Sequence, residues 1–161
     1  TASIHENVVS NWNWIEALIA SVPIAILVML IVWINQFQDA PSDAAVGKNT
    51  WVVRTAEKGE WMKLEKPLRL YKQFMIEAFV AVALVGALSF FTDFGTVYAF
   101  MALIPIALVW KAFKMADEWM IKWNNPNADR QKVPYELLLV NVSTIGIHFL
   151  TGILLAVAYI L

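Results

Sequence analysis

Four long apolar runs, at residues 14–34, 74–91, 94–110 and 137–161, contain no Lys or Arg, and all twelve basic residues fall between them, at 48–72 and 111–132. A helix rises 1.5 Å per residue, so about 20 residues cross the roughly 30 Å of bilayer hydrocarbon. Each run reads as a transmembrane helix, the two middle ones narrowly. The expectation is an all-α integral membrane protein, one transmembrane domain over 1–161, with two long connections at 35–73 and 111–136.

Four crossings place the N-terminal tail, the short second connection and the C-terminus on one side, and both basic connections on the other. Lys and Arg in short loops are retained on the cytoplasmic face. The topology is therefore expected to be N-out and C-out in a prokaryotic plasma membrane, with the basic loops cytoplasmic and both termini on the outer face. The tail lacks the basic n-region of a signal peptide, so the first run reads as a retained span.

Composition supports this class: 60% of the residues are hydrophobic and only 16% charged, too few to cover a soluble domain. A net charge of -1, with acids interleaved among the bases, makes nucleic acid an unexpected partner. With no cysteine, the chain has no thiolate for a nucleophile, a Cys-ligated metal or an iron–sulfur cluster. Glycine-rich phosphate loops and the common hydrolase and metalloprotease signatures do not occur, so catalysis by the chain alone is not expected.

Tryptophans mark the expected interfaces. Trp12 and Trp14 precede the first span, Trp33 and Trp110 end the first and third, and Trp119 and Trp123 lie on an amphipathic helix expected at 111–124, along the inner surface or continuing span three. In the first connection, 38–49 reads as a flexible polar stretch. The β-prone runs around Gly59 then suggest a small hairpin at 50–64 exposing Trp51 and Trp61. Thr92 and Asp93 would join spans two and three, Asp93 capping the third helix.

The fourth span carries the chemistry. Asn141, Thr144, His148 and Thr151 recur at i, i+3, i+7 and i+10, one polar stripe that must face protein or a cavity, while Leu139, Val142, Leu150, Ile153 and Val157 suit lipid. His148 is the only histidine at membrane depth, because His5 lies in the tail. A haem held by two histidines of this chain is therefore excluded, leaving a haem or quinone shared with another subunit. Glu77, the only acid in the second span, is expected one turn from its inner end, level with Asn141, either snorkelling to the inner interface, bonding Asn141 or accepting protons. Pro23 and Pro105 interrupt spans one and three, and kinks there would open a cavity in the inner half.

Three functions follow as expectations. The first is a small accessory or structural subunit of a larger integral-membrane complex, a redox or energy-transducing oxidoreductase, with other membrane subunits and lipids as partners. The second is a transporter or proton conductor using Glu77 and the Asn141–Thr144–His148–Thr151 stripe. The third is a cofactor- or quinone-contacting subunit acting through His148.

Overall fold

The computed structural model describes residues 13–56, 62–92, 94–130 and 132–161. It comprises α1 (Asn13–Ala45), α2 (Trp51–Thr55), α3 (Glu65–Leu88), α4 (Ile106–Trp123) and α5 (Leu138–Ala158). Two 3₁₀ segments, Val97–Leu103 and Val133–Leu137, lead into α4 and α5. No strand occurs among the described residues. Four helical stretches are long and apolar enough to cross a membrane: Trp14–Ala45, Glu65–Leu88, Val97–Trp123 and Val133–Ala158.

All four run further toward the basic end than the apolar runs do. At 33 residues, α1 is about 50 Å long and overshoots the hydrocarbon. The reason lies in its packing: Leu27, Leu30, Ile34, Phe37 and Ala40 recur at helical spacing and are fully buried, so the stripe that seats α1 continues through the polar stretch. Residues 38–45, expected as flexible chain, are consequently helix.

The hairpin expected at 50–64 is not formed where the chain is described: Trp51–Thr55 is one short helix. Its Val52 is fully buried, the Val52 N–H donates to Gln36 Oε1 at 3.2 Å, and the Thr55 hydroxyl bonds back to the Trp51 carbonyl at 2.7 Å. Strand preference is largely a fit to a neighbouring strand, and none occurs among the described residues to receive this one. The turn residue Gly59 and Trp61 lie outside the described residues, as do Trp12, Asp93 and His5.

The third crossing also differs from a single helix. Pro105 is the N-cap of α4 rather than a kink within a span, and α4 runs unbroken to Trp123, so the amphipathic stretch continues span three rather than forming a separate interfacial helix. The connection from α3 is longer than two residues, and the capping residue that is described is Thr96, whose hydroxyl accepts from the Tyr98 N–H at 3.3 Å.

The helices form a four-membered bundle. Trp33 meets Phe74 near one end while the Gly95 N–H donates to Glu16 Oε1 at 3.0 Å near the other, which makes α1 and α3 antiparallel. The first 3₁₀ segment and α4 pack between α3 and α5 on the side opposite α1. Two contacts reach across the diagonals: Tyr71 of α3 to Thr144 of α5, and Phe37 of α1 to Trp119 of α4. The larger core lies toward the basic end. A smaller one, Val82, Val85, Ala99, Ala102 and Leu155, fills the other.

Candidate functional site

Eight aromatic rings organise the basic end. Trp119 stacks on Trp123 with centroids 5.5 Å apart, Phe37 meets Trp119 edge-on at 5.9 Å, and Tyr71 meets Phe113 at 6.4 Å. Trp33 lies edge-on to both Trp51 and Phe74. Each buried indole N–H then needs an acceptor. Trp33 donates to the Pro67 carbonyl at 3.2 Å, Trp119 to that of Val133 at 2.8 Å, and Trp123 to that of Met62 at 2.7 Å. The Arg130 guanidinium covers the Trp123 ring at 4.5 Å and donates to the Trp123 carbonyl.

These bonds overturn an expectation. Trp119 and Trp123 are 3% and 0% exposed and Trp33 is also buried, so none presents its ring to headgroups or to a partner. They tie the first connection and the starts of α3 and of the second 3₁₀ segment to the helices. Trp14 and Trp110 remain available as interface anchors, at 64% and 76% exposed.

The polar stripe of α5 does face protein, and that protein is this chain. Asn141, Thr144 and Thr151 are buried, whereas Leu139, Val142, Leu150, Ile153 and Val157 are exposed on the opposite face. The Thr144 hydroxyl shares a 2.7 Å bond with the Tyr71 hydroxyl and lies 2.8 Å from the Val140 carbonyl, to which it donates. Asn141 Nδ2 donates to Asn35 Oδ1 at 2.8 Å. Asn141 Oδ1 and the Thr151 hydroxyl have no partner among the described residues. His148 is half-buried at the margin of this stripe.

Glu77 stands apart from that stripe. Its helix begins at Glu65, well before the apolar run that starts at Phe74, so Glu77 lies deep in α3 while staying one turn inside the apolar run. The Tyr71–Thr144 contact joins two helices that rise in parallel from the basic end, which brings Glu77 level with the turn holding His148, not with Asn141. The carboxyl is exposed on the outside of the bundle and accepts from Gln73 Nε2 at 2.8 Å. Asn141 has Asn35 instead, so the structure does not bring Glu77 onto the polar stripe. Gln73 was legible as a partner from its i−4 spacing; Tyr71 and Asn35 carried no local signal, because each reaches a helix distant in sequence.

Toward the Glu16 end, α1 and α3 splay around an apolar groove of about 480 Å³ lined by Ile19, Val22, Ala81, Leu84, Leu88 and Phe91 among others. It lies beside the helical turn that precedes Pro23, away from the inner half where a cavity was expected. At the basic end, Lys72 pairs with Asp117 and places its ammonium 5.5 Å from the centre of the Phe113 ring. No group of three or more His, Cys, Asp or Glu able to hold a metal occurs among the described residues.

Four membrane-length helices closing on their own polar stripe define an integral, multi-pass membrane protein of all-helical architecture. No family model, curated protein or solved structure matches this chain.

Proposed function

We propose that the protein is a structural subunit of a larger integral-membrane complex of the redox or energy-transducing class. The observation that carries this reading is the exposed Glu77, one turn inside the apolar stretch of α3 that starts at Phe74. A charged acid facing lipid costs up to about 3 kcal/mol at the centre of a span and less toward its ends, and a neighbouring subunit that covers it removes that cost. The internal polar stripe fits a supporting role, because its hydrogen bonds join α5 to α1 and α3.

In this reading the basic connections lie in the cytoplasm and the Glu16 end faces outward, supported by the confinement of all twelve Lys and Arg to one end. The chain has no cysteine, so an impermeant maleimide added outside should label Phe91→Cys and spare Lys132→Cys. The reverse pattern would invert the orientation.

Purification from native membranes in mild detergent, followed by mass spectrometry, tests the subunit assignment. Integral-membrane partners in fixed ratio are expected. A chain that emerges alone would sink it. Absorption spectra of the same sample test the redox class through bound haem. A second reading, in which His148 contacts a haem or quinone of the partner, rests on its half-buried ring at the stripe's margin. Unchanged spectrum and turnover in His148→Ala would exclude that contact.

A further inference from the structure

One face of α3 combines the two features left unused by the bundle. Gln73, Glu77, Ala81, Leu84 and Leu88 follow one another at spacings of four, four, three and four, so they form a single stripe about 22 Å long. Its first half presents the Gln73–Glu77 pair, and its second half is one wall of the apolar groove whose other wall is Ile19 and Val22 of α1. A polar, acceptor-rich patch thus continues directly into an apolar seat on the same helix face.

We infer that this stripe is the docking site for one transmembrane helix of another chain, which carries an Arg or Lys level with Glu77, toward the inner end of the span, and apolar side chains that fill the groove. The inference rests on the subunit reading above and specifies its contact. Charge complementarity selects the occupant. Within the pair, Gln73 Nε2 is already directed at Glu77 Oε1, which leaves the second carboxylate oxygen and the Gln73 carbonyl oxygen to accept. A guanidinium or ammonium supplies the donors those oxygens require and cancels the charge, and it gains the same relief from lipid itself. A lipid chain could fill the groove but brings no donor to Glu77. A second copy is disfavoured, because a two-fold axis along this stripe would set Glu77 against Glu77.

The absence of cysteine makes the test direct. In native membranes, Leu84→Cys and Ala81→Cys carrying a photoreactive maleimide are expected to cross-link to another chain, in a membrane segment containing Arg or Lys. Phe149→Cys, exposed on α5, serves as the control face and is expected to give none. Recovery of that same partner is expected to fall about tenfold or more in Glu77→Gln and further in Glu77→Lys. Exchanging the partner's basic residue for Glu should restore recovery with Glu77→Lys. Cross-links to lipid only, to a second copy of this chain, or to a segment without a basic residue would overturn the inference. So would undiminished recovery in both Glu77 variants. If a partner still co-purifies in those cases, the subunit reading survives while this site fails. If the native chain purifies alone, both fail.

Discussion

Gly95 and Gly47 both have positive φ, at 81° and 72°, yet their surroundings are opposite. A Cβ on Gly95 would sit 2.4 Å from the Val85 carbonyl oxygen, a backbone atom, whereas a Cβ on Gly47 would meet nothing within 4 Å. Left-handed backbone costs an L-residue about 1–2 kcal/mol, and Gly47→Ala should cost that alone. In Gly95→Ala the connection must also shift, which breaks the 3.0 Å bond from the Gly95 N–H to Glu16. A hydrogen bond to a charged acceptor contributes roughly 1.5–3 kcal/mol, so the total should reach about 3–5 kcal/mol.

The assay is unfolding by SDS titration in mixed micelles, followed by far-UV circular dichroism. Glu16→Gln is the internal check. It should destabilise the parent chain but add little in the Gly95→Ala background, where the bond is already lost. Equal effects of the two glycine substitutions would refute the reasoning, as would full additivity of Glu16→Gln with Gly95→Ala.

Two further predictions concern the bundle. Tyr71→Phe and Thr144→Val, measured singly and together, should show a coupling of about 1 kcal/mol, in the range of hydrogen bonds between membrane helices; zero coupling would mean that the 2.7 Å contact does not tie α3 to α5. Trp123→Phe keeps an apolar ring but loses the bond to the Met62 carbonyl and weakens the contact with Arg130, so a loss of about 1.5–3 kcal/mol is expected by the same titration. A loss below about 0.5 kcal/mol, the usual size of a surface substitution, would show that this indole does not fasten the first connection.

What Glu77 costs depends on what it faces. If the carboxyl met only lipid, removing its charge with Glu77→Gln would stabilise the isolated chain. If a basic partner covers it, as proposed, the same change removes an acceptor. One substitution would then have opposite signs in the two states. The internal stripe behaves differently, since Thr144 and Asn141 bond within the chain whether or not a partner is bound.

Spacing and composition sufficed for the four crossings, for the confinement of positive charge to one end and for the prediction that Asn141, Thr144 and Thr151 face protein. Each follows from one helix considered alone: apolar length must match the bilayer, and a period of 3.6 assigns residues to a face. Only the tertiary structure decided which element each face meets. The same periodicity that put Trp119 and Trp123 on one face suited a membrane surface or a core equally. Burial was settled by Val133 and Met62, whose carbonyls accept their indole N–H groups. Likewise, an acid one turn inside a span can snorkel to the interface or turn inward, and only the neighbouring helices on the other side of α3 leave Glu77 outside. Helix ends moved for the same reason: apolar length measures the membrane, while Phe37 and Ala40 continue α1 because partners beyond it bury them.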